Sequence, residues 1–287
     1  MIYKNEKLSK YNWFNLGGPA RIFFKPGSET DLKNFLEEYN NQEKNIYILG
    51  AGSNTLFRDS GFDGIIIKLG KNFSYTKLLN DNKIEVGAAT LDKAVSDFAL
   101  ENSIAGLEFL SCIPGSIGGA ITMNSGCYGY DISKNFLSLN ALNFRGELKS
   151  FSKDEIKFFY RGSNLPRDLI ILNVTLQGES GNKVEIDNKK KMLINQKKES
   201  QPSRIKTCGS TFKNPEKQKA WEIIKSSNCS NFGVGGASIS KKHSNFFLNN
   251  GKATSADIEA LIEKVRNEVF KKTGINLELE IKIVGTK

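Results

Sequence analysis

Residues 208–215 read Cys-Gly-Ser-Thr-Phe-Lys-Asn-Pro, a run that carries a hydroxyl, an ammonium and an amide. Pro215 lacks an N–H and biases Asn214 away from helical backbone, so the run should close as a fixed turn. Such a turn can aim Ser210, Lys213 and Asn214 at one small volume, which by itself makes a polar site on a turn. Near the C-terminus, Leu277, Leu279, Ile281 and Ile283 alternate with Glu278, Glu280 and Lys282. Both carboxylates share one face of that strand, and periodicity does not choose between them. Tyr160-Arg161 lies in a polar stretch before Pro166. A guanidinium there can clamp a carboxylate or phosphate, although most arginines in turns only face water.

Two glycine-rich loops complete the set. Gly50-Ala-Gly-Ser-Asn-Thr55 follows an apolar run. Gly50 and Gly52 would let backbone N–H groups approach phosphate oxygens, with Ser53 and Asn54 as further donors. As a dinucleotide fingerprint it is incomplete, because Thr55 stands where the third glycine belongs and no acidic strand end follows. No Walker lysine is present either, so a tight strand-exit turn is the alternative reading. The second loop is Pro114-Gly-Ser-Ile-Gly-Gly-Ala120 followed by Met123-Asn-Ser-Gly-Cys-Tyr-Gly129, with five glycines in 16 residues. It can wrap closely around a flat or anionic ligand, or be a loop held by its own turns.

Composition narrows the partners. Among 287 residues, 41 are basic and 31 acidic, a net charge of +10 that favours anionic ligands or reflects a lysine-rich solvated surface. The four cysteines form no C-x-x-C and His243 is the only histidine, so no metal site is expected. His243 reads as a surface or hydrogen-bonding residue rather than a base. The start, Met-Ile-Tyr-Lys-Asn-Glu-Lys, has no apolar segment of a secretory signal. No apolar run approaches the ~18 residues of a membrane span. The expectation is a cytoplasmic protein with reduced thiols, without membrane insertion.

The elements that must position these residues alternate without strict βαβ regularity, which predicts the α+β class. Strands are expected at 21–24, 45–49, 65–68, 83–88, 137–144, 169–176, 237–240, 246–248 and 277–284. Ser28-x-x-Asp31 should cap a first helix carrying Leu32, Phe35, Leu36 and Tyr39, and Thr90 a second from Leu91 to Glu101. Ser152-x-x-Glu155 should open a short helix. A basic, partly helical connector covers 178–201, its lysines (Lys189, Lys190, Lys191, Lys197, Lys198) reading as a solvated face. A helix is expected around Lys219–Ser226. Thr254-x-x-Asp257 caps the strongest helix, with Ile258, Leu261, Ile262, Val265 and Val269 inward and Gly274 ending it.

Taken in order, the motifs resemble the UDP-N-acetylenolpyruvoylglucosamine reductase family. Asn15-Leu-Gly-Gly-Pro-Ala20 resembles its N-terminal signature, Leu49–Leu56 its first flavin loop, and Ile113–Ala120 with Met123–Gly126 its second. Tyr160-Arg161-Gly-Ser163, Gly209–Pro215 and Leu277–Ile281 resemble its three active-site segments. The resemblance implies a two-part FAD-binding module of the vanillyl-alcohol-oxidase-like (PCMH) type, at 1–70 and 71–200, plus a C-terminal α+β substrate domain at 201–287 for the UDP-sugar. It implies FAD contacts at Gly50, Gly52, Ser53, Asn54, Thr55, Pro114, Gly115, Ser116, Gly118, Gly119, Asn124 and Gly126. It implies Arg161, Ser210 and Glu280 as catalytic, Glu280 being chosen over Glu278 by the aliphatic residue and glycine that follow it. Tyr160, Lys213 and Asn214 would lie at the substrate. The implied activity is that of UDP-N-acetylmuramate dehydrogenase, with NADPH as co-substrate, in peptidoglycan precursor synthesis. The chain resembles the shorter type without an extra tyrosine loop and is expected to be a monomer with no nucleic-acid partner. Asn164-Leu165-Pro166, Cys208, Thr55 and Trp13 depart from commoner family choices. Two other readings are an RNA-binding module using the lysines at 189–198, which lacks an RNP-like aromatic set, and a nicotinamide dehydrogenase using 50–55.

Overall fold

A computed structural model describes residues 1–39 and 45–287. The chain is α+β, and its contacts divide it into two units.

The first unit comprises 1–2, 24–51 and 66–197. At its centre is an antiparallel sheet in the order Leu148–Ser152, Phe136–Asn143, Leu169–Gln177, Lys83–Gly87, Thr76–Asn80. Strand alternation sends Leu139, Ala141, Val174, Leu176, Ile84 and Val86 into one core with Phe109, Ile117 and Ile121. Each large apolar side chain buried there contributes about 1.5–3 kcal/mol. The first helix, Glu29–Tyr39, starts as its capping residues require: Asp31 N–H donates to Ser28 Oγ at 3.0 Å.

Three expectations change in this unit. Thr90 does not cap the helix Asp92–Glu101; Leu91 holds that position without a side-chain bond. The Thr90 hydroxyl instead accepts from Tyr75 N–H and donates to the Tyr75 carbonyl, at 2.9 and 3.0 Å. Ser152-x-x-Glu155 opens no helix. Glu155 Oε2 accepts from the Ser152 N–H and hydroxyl, each at 2.7 Å, and closes a turn at the strand end. Only Ile156 is buried after it, so there is no apolar stripe to stabilise a helix. The basic connector is one helix, Lys183–Ser200, and its lysines are not simply solvated. Lys190 is buried and paired with Asp97, Lys189 pairs with the buried Glu108 at 3.2 Å, and Lys197 Nζ donates to the Cys112 carbonyl at 2.9 Å. Lysine stems pack along apolar surface while their ammonium groups reach fixed acceptors.

The second unit comprises 3–23, 52–65 and 198–287. The strands that begin at Ile2, Pro19 and Phe62 run side by side. A second sheet joins Gly233–Val234, Ala237–Ile239 and Phe247–Asn249. Against it packs the helix Ser255–Thr273, burying Ile258, Leu261, Ile262, Val265 and Val269 as the spacing predicts. Thr254 Oγ1 accepts from Asp257 N–H at 3.1 Å, Asp257 Oδ2 accepts from Thr254 N–H at 2.9 Å, and Gly274 ends the helix with φ 72°. The expected last strand is regular only at Lys282–Val284, where it runs parallel to Thr55–Phe57. Upstream it is extended but divided between partners, with a single bridge from Leu279 to Phe212. Among the described residues, no helix is long and apolar enough to cross a membrane.

Thr254→Ala removes the hydroxyl acceptor of the capping box. Urea unfolding should show a loss of about 1 kcal/mol, with weaker amide protection at the start of the Ser255–Thr273 helix.

Candidate active site

Within the second unit, residues 210–213 run between two other segments. On one side Ser210 bridges to Phe246 and Thr211 N–H donates to the Asn245 carbonyl at 2.8 Å. On the other, Glu280 N–H donates to the Thr211 carbonyl at 2.9 Å and Lys213 N–H to the Glu278 carbonyl at 2.8 Å. The structure therefore brings the Ser210 and Glu280 backbones onto adjacent, antiparallel segments. It also separates the two glutamates that periodicity left equal. Glu278 is exposed and its Oε2 lies 3.4 Å from Lys213 Nζ, whereas Glu280 is half-buried. Gly209 precedes Ser210 with φ 78°, a left-handed conformation that glycine adopts without strain. Asn214 Oδ1 accepts from Ala220 N–H at 3.0 Å and so also fixes the start of the helix Ala220–Ser226.

The first glycine loop falls in both units, and each part has its own surroundings. Gly52 has φ 71°, and a Cβ there would collide with the Tyr11 carbonyl. Its own carbonyl accepts from Trp13 N–H at 3.1 Å. Asn54 Nδ2 donates to the Glu280 carbonyl at 3.1 Å, and Lys282 N–H donates to the Asn54 carbonyl at 2.9 Å. Thr55 is buried, and its carbonyl accepts from Cys208 Sγ at 3.2 Å. Ser53, between them, is half-buried. Burial pushes the Cys208 thiol up to about 12. Cys208, a departure from commoner family choices, is thus the group that ties residues 208–210 to this loop.

In the first unit, Gly50 and Ser116 bring the two glycine loops together. A Cβ at Gly50 would lie 2.9 Å from Ser116 Oγ. Pro114 and Gly119 are exposed, Gly115 and Gly118 half-buried. Lys68, which sequence reasoning passed over, donates from Nζ to the Gly50 carbonyl. Burial, helped by nearby Lys25, lowers its pKa. Bare backbone, a serine hydroxyl and an ammonium form a donor set that suits the diphosphate of a dinucleotide such as FAD.

The end of the second loop positions the arginine turn. Strands Phe158–Phe159 and Gly162–Ser163 pair, leaving Tyr160 and Arg161 at the apex, with Arg161 at φ 57°. Asn124, itself left-handed at φ 42°, donates from Nδ2 to the Phe159 carbonyl at 3.1 Å. Arg161 Nη2 donates to the Gly126 carbonyl at 3.1 Å, and its guanidinium lies 5.0 Å from the Tyr160 ring centroid. The loop and the turn, 35 residues apart at these contacts, are one structure.

Sequence reasoning also missed Asn245. It is buried, its Oδ1 accepts from Phe212 N–H at 2.9 Å, and its Nδ2 donates to the Phe212 carbonyl at 2.8 Å. The only signal was an amide standing before the apolar pair Phe246-Phe247. His243 is half-buried against Trp221 and Phe246, and its Nδ1 accepts from Asn245 N–H at 3.4 Å. Burial lowers its pKa to about 4, which keeps it neutral and hydrogen-bonding.

This combination of an α+β fold and glycine-lined loops belongs to the FAD-binding flavoproteins: a model of the FAD binding domain matches residues 20–152. A model of the C-terminal domain of UDP-N-acetylenolpyruvoylglucosamine reductase matches residues 201–284. The chain is 47% identical to the UDP-N-acetylenolpyruvoylglucosamine reductase of Pelagibacter ubique over 96% of its own length and 92% of the relative's. It is 43% identical to that of Rickettsia akari, covering 98% and 95%. The crystal structure of the reductase from Thermus caldophilus superposes with a TM-score of 0.86 at 30% identity, covering 99% of this chain and 98% of that one. The chain belongs to the UDP-N-acetylenolpyruvoylglucosamine reductase family and is an FAD-containing oxidoreductase.

Two measurements follow from this geometry. Asn245→Ala leaves both polar groups of Phe212 without their side-chain partner and should cost about 2–4 kcal/mol in chemical denaturation. For His243 the folded pKa, about 4, lies below its ordinary value of 6.5, so protons favour the unfolded chain. Stability should fall as pH drops from 6.5 towards 4. A His243→Gln variant should show a flatter Tm profile across that window.

Proposed function

We propose that this enzyme reduces UDP-N-acetylenolpyruvoylglucosamine to UDP-N-acetylmuramate with NADPH, as a monomer in the cytoplasm, for peptidoglycan precursor synthesis. Residues 1–70 and 71–200 would hold FAD, and 201–287 the UDP-sugar. The observation that carries the reading is the pairing of the Ser210 segment with the Glu280 segment, with Lys213 on the same segment as Ser210. The anchoring of Arg161 on the second glycine loop supports it.

The FAD contacts assigned to this chain are Gly50, Gly52, Ser53, Asn54 and Thr55 in the first loop, and Pro114, Gly115, Ser116, Gly118, Gly119, Asn124 and Gly126 in the second. Lys68 joins them as the cation on Gly50. Bound there, FAD supplies the hydride that NADPH provides. The substrate is an enol ether conjugated to a carboxylate, so reduction drives negative charge onto that carboxylate. Arg161 meets this charge with a guanidinium whose orientation is already set by Gly126. Glu280 acts at the same charge as a hydrogen-bonding carboxyl. Ser210 gives its proton to the adjacent carbon, the step in which general-acid catalysis contributes about 10²–10⁴-fold. Lys213, Asn214 and Tyr160 orient the UDP-sugar. The excess of basic residues steers three anionic ligands.

The purified protein should be yellow, bleached by NADPH and restored by the enolpyruvyl substrate. Ser210→Ala should leave flavin reduction by NADPH unchanged and slow reoxidation by substrate at least ~100-fold in stopped-flow absorbance. Unaltered rates in both half-reactions would remove Ser210 from its role.

A further inference from the structure

The first glycine loop runs into Thr55–Phe57, which pairs in parallel with Lys282–Val284. Arg58 closes one end of that pairing. Its N–H donates to the Val284 carbonyl and its Nη1 to the Gly285 carbonyl, each at 2.9 Å, while Glu259 holds the guanidinium through two bonds of 2.8 Å. Asn54 closes the other end, where its carbonyl accepts from Lys282 N–H at 2.9 Å. A parallel ladder continued past that point needs a donor from residue 54 to the Glu280 carbonyl. The side-chain amide stands in that place, with Nδ2 donating to the Glu280 carbonyl at 3.1 Å. On the other side, Glu280 N–H donates to the Thr211 carbonyl at 2.9 Å. Both main-chain groups of Glu280 are therefore held, by two segments that lie far from it along the chain. Ile281, the next residue, is buried in the apolar core, so alternation turns Glu280 the opposite way. With both peptide groups fixed, the direction in which the carboxyl leaves the chain is fixed as well.

We propose that Asn54 is a positioning residue for Glu280: its side-chain amide supplies the ladder rung that aims the Glu280 carboxyl. A primary amide carries two N–H groups and a carbonyl, so one residue can serve Glu280 and a ligand on the glycine loop together. Aspartate has the same outline but no N–H donor when ionised, and alanine has neither. Without the amide, the Glu280 carbonyl loses its partner, and the peptide plane that joins Glu280 to Ile281 is free to rotate. That rotation swings the carboxyl. A displacement of about 1 Å at a reacting group can cost ~100-fold in rate, so a loosened one should cost about tenfold. The kinetic effect rests on the role proposed for Glu280; the hold on its backbone does not.

The test compares wild type and Asn54→Ala, both kept in excess FAD and checked for flavin content by absorbance. Hydrogen exchange read by mass spectrometry should be about fivefold faster across 277–285 in the variant, on the scale of one lost hydrogen bond, and unchanged in the helix Ser255–Thr273. Asn54→Asp, which keeps the shape, should give the same pattern and serves if the alanine variant does not fold. Unchanged exchange at 277–285, or equal acceleration in the helix, overturns the hold on Glu280. In stopped-flow absorbance, Asn54→Ala should slow flavin reoxidation by the enolpyruvyl substrate about tenfold. Placed on a Glu280→Ala background, the same substitution should slow it no more than about twofold, because a residue that acts through a carboxyl has little effect once the carboxyl is gone. A tenfold loss on both backgrounds, or an equal slowing of flavin reduction by NADPH, overturns the action through Glu280. Wild-type reoxidation in Glu280→Ala alone removes Glu280 from its role and the kinetic effect with it, while the exchange result still decides whether Asn54 holds the segment.

Discussion

The buried amide of Asn245 satisfies both backbone groups of Phe212, and the placement of residues 210–213 depends on that bond pair. Residues 210–213 make only isolated bridges to their neighbours, not a continuous ladder. A segment with so little regular pairing has many conformations of similar energy. A side-chain amide that accepts from one N–H and donates to one carbonyl replaces the missing strand partner and removes most of them. The Glu280 backbone then has a fixed acceptor in the Thr211 carbonyl, and Ser210 a fixed place one residue before it.

The same logic runs through the first unit, where side chains from the second loop do the fixing. Asn124 and Gly126 were expected among the FAD contacts; Asn124 bonds the Phe159 carbonyl and the Ser133 N–H, and the Gly126 carbonyl accepts from Arg161. A guanidinium is useful at a developing charge only if its orientation is settled beforehand, since reorganisation during reaction would consume the gain. Building the arginine turn onto the second glycine loop settles it. Gly52 is fixed as glycine twice over, by its left-handed φ of 71° and by the close approach of the Tyr11 carbonyl, which leaves no room for a Cβ.

Charge in this chain is divided between structure and ligand attraction. The helix Lys183–Ser200 holds the lysines that an RNA-binding reading would need, but Lys189, Lys190 and Lys197 are committed to Glu108, Asp97 and the Cys112 carbonyl. Lys190 is buried, so its pairing removes what would otherwise be a costly isolated charge. The net positive balance is therefore carried by other basic residues.

The sequence alone determined the class of fold, the family and the helices with complete local signals. Ser255–Thr273 was readable because its capping box, apolar stripe and terminal glycine all lie within one stretch of chain, and local consistency of that kind survives folding. The ordered motifs likewise marked Arg161, Ser210 and Glu280 as candidates. Only the tertiary structure decided which groups those residues lean on. Thr90, Glu155 and Lys190 carried sound local signals: Thr90 and Lys190 were redirected to Tyr75 and Asp97, and Glu155 kept its Ser152 partner without an apolar face to continue a helix. Glu278 and Glu280 alternate onto one strand face, so periodicity could not part them; in the fold Lys213 pairs with Glu278, which is exposed, and Glu280 is half-buried. Asn245 and Lys68 were invisible for the same reason. Their meaning lies in a neighbour brought within hydrogen-bond reach by the fold, and spacing along a chain does not record that distance.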